Sequence, residues 1–188
     1  MLAVSGWVHR YMERYPAMKV DADITGRIVD LVHEGFDLAI RVGTLQDSSL
    51  SARRLGQITY GLYASPAYLR QHGQPRSPDS LADHAQLVFA TNQQRSARTL
   101  HRRNEVCRVP LQPRYRASNS FAIRDAAIAG LGIALLPRLV GDPAVAGGGL
   151  RSVLINGVPV SAKGRYILAP GDRLTTATED LPKDRHGG

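Results

Sequence analysis

The run from Ile24 to Gly56 constrains the fold of this chain more than any other feature. Its apolar residues are spaced as in a strand end, a short helix, a buried strand and a polar loop, with Gly35 placed to close the helix in a left-handed conformation. The segment from Ala122 to Pro137 repeats the order helix, glycine, strand. Such units hold ligand-facing loops at the carboxyl ends of their strands. The pattern therefore predicts two α/β lobes around a cleft.

Local patterns predict the remaining elements of the first half. A helical stripe runs from Leu2 to Tyr15 and ends at Pro16. Further predictions are a half-buried strand at Met18–Ile24, a helix over Ile28–Val32, a parallel strand at Phe36–Val42 and one long extended segment at Ser51–Ala64 that crosses between lobes.

Residues typical of helix starts and of strand ends predict the elements in the second half of the chain. Ser65 followed by Pro66 predicts a helix start, and Asn119 or Ser120 is expected to cap a helix that runs to about Ala129. Further predictions are strands at Leu87–Ala90, Arg114–Ser118, Ile133–Leu136 and Leu150–Ile155, a loop or hairpin at Thr91–Asn104, a short helix at Gly141–Gly148 and a frayed tail after Pro170.

Composition indicates a globular, soluble and cytoplasmic chain. Hydrophobic residues make up 43% of it, and it shows neither a signal peptide nor an apolar run long enough to span a membrane. Cys107 is the single cysteine, so an internal disulfide is excluded. Much of the net charge of +8 lies between Arg95 and Arg116, which hold seven arginines and one acidic residue. This stretch is either a solvated basic face or a nucleic-acid contact.

The sequence offers no catalytic constellation, no metal site and no cofactor motif. There is no G-x-S-x-G elbow and no phosphate loop, and the six histidines lack metal-ligand spacing. Gly130-Leu131-Gly132 follows a helix and precedes a strand, the reverse of a dinucleotide-binding turn. We therefore expect no catalytic residue, no metal ligand, no cofactor and no enzyme activity.

Binding chemistry is easier to place. Thr25 and the segment Val42-Gly43 stand where strands are expected to end, and in an open α/β sheet that edge faces the ligand crevice. The helix starts at Ser65 and at Ser118-Asn119-Ser120 offer free backbone N–H groups, which favour anions such as a carboxylate. Each of these two helix starts is alternatively a plain helix cap without a ligand.

Three ordered motifs carry a resemblance to a known family. RIVDLVHEGFDLAIRVGTLQDSSLSARRLG (Arg27–Gly56), YASPAYLRQHGQPRSPDSLADH (Tyr63–His84) and AAIAGLGIALLPRLV (Ala126–Val140) resemble the effector-binding domain of LysR-type transcriptional regulators. The resemblance implies two Rossmann-like lobes with mixed sheets joined by crossing strands, as in type 2 periplasmic binding proteins. It assigns residues 1–56 to the first lobe, 57–140 to the second and 141–170 to the first again, with 171–188 as a disordered tail.

The resemblance also implies a site and partners. A small, anionic effector would bind between the lobes, with contacts from Thr25, Arg41, Val42, Gly43, Ser118, Asn119 and Ser120, and with Ser65 as a weaker candidate. Homo-oligomers are implied, and DNA would be bound only through a helix-turn-helix domain absent from this sequence. Relative to the family pattern, both ends look truncated. The alternatives are a stand-alone cytoplasmic binding protein or a non-functional truncated regulator.

Overall fold

A computed structural model describes residues 2–25, 29–31, 33–42, 53–90, 97–102, 105–155, 158–159 and 161–170. The helices are α1 (Leu2–Arg14), α2 (Pro66–His72), a 3-10 helix (Asp79–Asp83), α3 (Ser120–Ile128) and α4 (Arg138–Ala146). The strands are β1 (Leu38–Val42), β2 (Arg53–Ala64), β3 (Gln86–Phe89), β4 (Ala97–Arg102), β5 (Glu105–Pro110), β6 (Pro113–Ala117), β7 (Ile133–Pro137), β8 (Arg151–Ser152), β9 (Leu154–Ile155), β10 (Val158–Pro159) and β11 (Ser161–Pro170).

The chain folds into two compact units. The first contains Met1–Ile58 and Gly164–Gly188, and the second contains Thr59–Lys163. The boundaries fall within β2 and within β11, so both strands continue from one unit into the other. The assignment of residues 1–56, 57–140 and 141–170 to lobes stays a prediction, and the expected tail at 171–188 lies outside the described residues.

In the first unit, β1 pairs with β11 in an antiparallel ladder, with Leu38 opposite Pro170 and Val42 opposite Tyr166. The prediction of a parallel strand here was therefore wrong, although the strand itself is confirmed. An apolar run predicts burial, but the partner comes from the far end of the chain and leaves no local signal.

The predicted strand at Met18–Ile24 was also wrong. Its described residues belong to neither helix nor strand, and Met18, Val20 and Ile24 are 47%, 39% and 61% exposed. Alternation of apolar and polar residues makes only one face of an extended segment suitable for burial. A strand also needs a neighbouring strand, and among the described residues no strand pairs with this segment.

The helix expected over Ile28–Val32 is absent from its described residues, because Val29 and Asp30 belong to no element and Leu31 lies in a turn. The Asp30 carboxylate accepts the His33 backbone N–H at 3.2 Å, and the Phe36 N–H donates to the Leu31 carbonyl at 3.0 Å. A side chain that accepts the N–H three residues later places its own residue at the start of a turn, so Asp30 does not lie inside a helix. Gly35 has φ +73°, so the left-handed glycine is confirmed, whereas the first βαβ unit is absent from the described residues.

The second unit is built on parallel strands. β3 lies between β6 and β7 and is parallel to both, and β2 is antiparallel to β7. Among the described strands the sheet order is β5-β4-β11-β2-β7-β3-β6, with β1 on β11 and β8 on β2, and β9 and β10 form a separate antiparallel pair. The order helix, glycine, strand at Ala122–Pro137 is confirmed, since Gly130 has φ +80° between α3 and β7. β4 lies within the loop or hairpin predicted at Thr91–Asn104, but it pairs with β5, which lies beyond that range and was not predicted.

Alternating residues of β2 and β7 supply two apolar clusters on opposite faces of this sheet. Tyr63, Ala134 and Leu136 pack with Ile123 and other residues under α3, while the intervening residues pack on the other face. β7 is buried along its whole length, which explains its uninterrupted apolar sequence. The strand predicted at Leu150–Ile155 is divided into β8, which pairs with β2, and β9, which pairs with β10. Between them Val153 is buried and donates its N–H to the Leu62 carbonyl at 2.8 Å.

Candidate functional site

The carboxyl ends of three parallel strands meet at one edge of the second unit. Phe89 of β3 is opposite Ala117 of β6, and the Ala90 N–H extends this ladder to the Ala117 carbonyl at 2.8 Å. β7 ends at the same edge, where Tyr60 of the antiparallel β2 is opposite Pro137. In α/β sheets this edge is where ligands bind. We call it the carboxyl edge.

Ser118, Asn119 and Ser120 lie at the carboxyl edge, where β6 passes into α3. Asn119 has the extended conformation of an N-cap residue, and its side-chain oxygen accepts the Phe121 N–H at 2.8 Å. The first four N–H groups of a helix have no partner within the helix, so the other groups of this turn can serve water or an anion. No acidic residue stands in the first turn to oppose an anion.

α3 is anchored so that its N-terminus has a defined position. Ile123 and Ala127 are fully buried against Leu87 and Leu136 of the sheet. Ser118 and Asn119 are exposed, and Ser120 is half-buried. The predicted cap is therefore confirmed, and these three residues form a fixed polar turn that solvent can reach.

A hydrogen-bonded triad that sequence reasoning missed lies at the start of α4. The buried Tyr63 donates its hydroxyl to Asp142 Oδ1 at 2.6 Å, and Arg138 Nε donates to Asp142 Oδ2 at 3.0 Å. Burial and the neighbouring carboxylate raise the pKa of Tyr63, and the same carboxylate raises the pKa of Arg138. The spacing of Arg138 and Asp142 was a visible signal, but nothing local indicated Tyr63.

Two glycines make room for the Tyr63 ring. A Cβ on Gly61 would lie 2.9 Å from the Tyr63 hydroxyl oxygen, and one on Gly141 would overlap the ring itself. The triad thus ties α4 to β2 and fixes the segment that leaves β7 at the carboxyl edge.

Ser65 occupies a different place. It is buried, and its Oγ accepts the Tyr68 N–H at 3.1 Å as the cap of α2. Because β2 is antiparallel to β7, Ser65 lies beyond the amino end of β7, at the edge opposite Ser118–Ser120. The helix start is confirmed, whereas effector contact by Ser65 stays a prediction.

The other predicted site residues belong to the first unit. Thr25 is exposed in a segment without helix or strand, and Arg41 and Val42 end β1 opposite Ile167 and Tyr166. Gly43 lies outside the described residues. Their contact with a ligand stays a prediction.

A second polar network lies at the amino end of β3. The Ala85 N–H donates to the Tyr68 hydroxyl at 3.1 Å, and that hydroxyl lies 3.2 Å from His84 Nδ1. A neutral His84 can accept a hydrogen bond from the Tyr68 hydroxyl at Nδ1, whereas a protonated His84 cannot. Burial, aided by the positive field of His72, lowers the pKa of His84 despite the opposing effect of Asp83.

The second unit also holds an apolar cavity of about 30 Å³, room for about one water molecule rather than a metabolite. It is lined by Leu62, Leu81, Gln86, Leu87, Val88, Arg98, Leu100, Val109, Leu111, Ile133 and Leu135. Within the described ranges, no group of three His, Cys, Asp or Glu residues could hold a metal ion. No helix among the described residues is long and apolar enough to cross a membrane.

Comparisons with known proteins agree with this architecture. A family model described as the LysR substrate binding domain matches residues 3–181. An uncharacterised HTH-type transcriptional regulator of Haemophilus influenzae is 35% identical over 130 residues, which are 69% of this chain and 45% of that protein. The chain thus spans less than half the length of this relative.

Solved structures give the same result. The full-length Vibrio cholerae virulence activator AphB, a member of the LTTR family, has a TM-score of 0.73 and 27% identity, covering 89% of this chain and 56% of that one. The regulatory domain of AphB from Vibrio vulnificus has a TM-score of 0.69 and 28% identity, with coverage of 88% and 83%.

These likenesses confirm the predicted α/β class with a mixed sheet, of the periplasmic-binding-protein type. The relatives are transcriptional regulators and not enzymes, as the sequence led us to expect. The chain therefore belongs to the LysR substrate-binding domain family, the effector-binding domain of LysR-type transcriptional regulators.

Proposed function

We propose that this chain binds a small anionic effector at the carboxyl edge of its second unit. The observation that carries the proposal is the N-terminus of α3, where Ser118, Asn119 and Ser120 surround the first turn of an anchored helix without an acidic residue. A helix N-terminus favours a carboxylate through its free N–H groups and its dipole. Family membership supports a ligand at such an edge.

Effector binding would regulate transcription in the cytoplasm through the DNA-binding domain of the regulator, as part of a homo-oligomer. An effector that favours one conformation of the domain shifts its population in proportion to the difference in affinity. The contacts predicted from the first unit are Thr25, Arg41, Val42 and Gly43, and they rest on the resemblance at Arg27–Gly56.

A thermal-shift measurement with benzoate and succinate tests the proposal. A ligand at about 100 times its Kd stabilises the native state by about 2.7 kcal/mol, which raises the Tm of a chain this long by roughly 5–11 °C. Benzamide, the neutral counterpart of benzoate, should give a much smaller shift.

Asn119→Asp separates binding from folding. Aspartate caps helices as well as asparagine does, so the fold should be kept, but its charge repels a bound carboxylate. The variant should lose most of the shift. Gln74→Glu, which adds the same charge at an exposed position after α2, should keep it. Equal shifts in Asn119→Asp and in the original chain, or equal shifts with benzoate and benzamide, would contradict the proposal.

A further inference from the structure

The net positive charge of the chain belongs entirely to the second unit. Thr59–Lys163 contains thirteen Lys and Arg against five Asp and Glu, whereas the remaining residues contain eleven of each. The excess in the second unit is therefore +8, the same as the net charge of the chain. A single-sign excess on one unit creates a field that attracts polyanions.

Three exposed arginines stand on two strands of this unit that follow each other along the chain and form the two ends of the sheet order. Arg108 lies on β5, and Arg114 and Arg116 lie on β6. The ion pairs described in this unit join Arg124 to Asp125 and Arg138 to Asp142, and none of them involves these three arginines. Their guanidinium groups are thus exposed and outside these ion pairs, although Arg114 also acts electrostatically on the Tyr68 hydroxyl. We call these three residues the arginine surface.

A buried glutamine fixes the connection between the two strands. The Gln86 amide donates to the Pro110 carbonyl at 3.1 Å, and its oxygen accepts the Gln112 N–H at 3.4 Å. Gln86 is 7% exposed and begins β3. The end of β5 and the start of β6 are therefore both attached to the sheet, which holds Arg108 and Arg114 on one ordered stretch of backbone.

The spacing suits the backbone of a DNA duplex. Arg116 is eight positions after Arg108 along the chain, a segment that spans at most about 28 Å when fully extended. This is less than one helical turn of B-DNA, about 34 Å. Three phosphates within one turn can therefore be reached together.

We propose that the arginine surface binds the phosphate backbone of double-stranded DNA without sequence preference. Double-stranded DNA is favoured over other polyanions because the chain belongs to a family of transcriptional regulators, which work at DNA. The contact adds non-specific affinity, and it leaves sequence recognition to the DNA-binding domain of the regulator. Both β5 and β6 are edge strands of the sheet, so protection of an open edge by charge is the competing explanation.

Fluorescence anisotropy with a labelled 20-base-pair duplex of random sequence tests the proposal on the 188-residue chain. Three phosphate contacts predict a slope of about −2.7 for log K against log salt concentration, or about 40-fold weaker binding at 200 mM than at 50 mM salt. The variant Arg108→Gln/Arg114→Gln/Arg116→Gln should lose about 2.7 from the magnitude of that slope.

The matched control is Arg70→Gln/Arg76→Gln/Arg151→Gln, which removes the same charge from exposed positions elsewhere on the second unit. It should keep most of the slope. An equal reduction of the slope in both variants would show that DNA binding depends only on net charge and would overturn the proposal. Absence of binding at 50 mM salt would overturn it in favour of edge protection. Displacement of the duplex by poly-glutamate or by phosphatidylglycerol vesicles at equal charge concentration would overturn the assignment to DNA.

A protection experiment on the unmodified sequence covers the case in which the triple variant does not fold. Phenylglyoxal modifies exposed arginines, and mass spectrometry reports the extent at each position. The duplex should protect Arg108, Arg114 and Arg116 and leave Arg70 and Arg151 reactive. Equal modification with and without the duplex would overturn the proposal.

Discussion

Tyr63→Phe isolates the hydrogen bond that ties β2 to α4. The substitution removes one oxygen and leaves the ring in the space that Gly61 and Gly141 provide. A hydrogen bond to a charged group contributes about 1.5–3 kcal/mol. The Asp142 side chain is 46% exposed, so water replaces part of what it loses. We therefore expect the lower end, about 1.5 kcal/mol, which lowers the Tm by roughly 3–6 °C.

Urea denaturation measures this free energy of unfolding. Far-UV circular dichroism is the appropriate signal, because the single tryptophan, Trp7, lies in the first unit and Tyr63 in the second. A double-mutant cycle of Tyr63→Phe with Asp142→Asn should give a coupling energy of about 1 kcal/mol, since the two residues share one hydrogen bond.

Arg138→Gln is the control. It breaks an ion pair whose two side chains are 62% and 46% exposed, and such pairs contribute about 0–1 kcal/mol. It also removes the interaction of Arg138 with the Tyr63 hydroxyl but leaves the hydrogen bond from Tyr63 to Asp142 in place. The control should therefore cost less than Tyr63→Phe. If Tyr63→Phe costs under about 0.5 kcal/mol, or no more than Arg138→Gln, the buried hydroxyl is not what joins the two elements and the reasoning fails.

Two further predictions concern the amino end of β3. Gly132→Ala should destabilise the protein by about 2–3 kcal/mol in urea denaturation, because the new Cβ overlaps the Ala85 carbonyl oxygen, whereas Gly147→Ala has space and should change stability by under about 0.5 kcal/mol. Similar costs at both glycines would refute the overlap argument. Burial lowers the pKa of His84 from its ordinary value of 6.5, so as pH falls below that value the unfolded state takes up a proton first. Stability from this group is therefore complete above pH 6.5 and is lost as pH falls through the folded-state pKa of His84. The melting temperature should therefore fall less steeply between pH 7.5 and pH 5 for His84→Gln than for the original chain. The control His9→Gln, at an exposed position, should keep the pH dependence of the original chain. An unchanged pH dependence of the melting temperature in His84→Gln would contradict this reasoning.

Short-range signals predicted the caps and turns well. Ser65 followed by Pro66 starts α2, Asn119 caps α3, and Gly35 and Gly130 adopt positive φ. In each case the stabilising contact lies within a few residues, as when the Asn119 side chain accepts the N–H two residues later. The candidate site was found in the same way, because its polar turn is itself a helix cap.

The amino-acid sequence by itself determined where helices start, where glycine turns fall and which segments are apolar enough to be buried. Tertiary structure alone decided that β1 pairs with β11, that Met18–Ile24 forms no strand among the described residues, and that Tyr63 meets a carboxylate 79 positions away. The physical reason is the distance along the chain between the residues that stabilise each feature. A cap or a turn is stabilised by residues next to it in the sequence. The partner of a strand and the acceptor for a buried hydroxyl depend on how the whole chain packs, and the periodicity of a segment does not predict them.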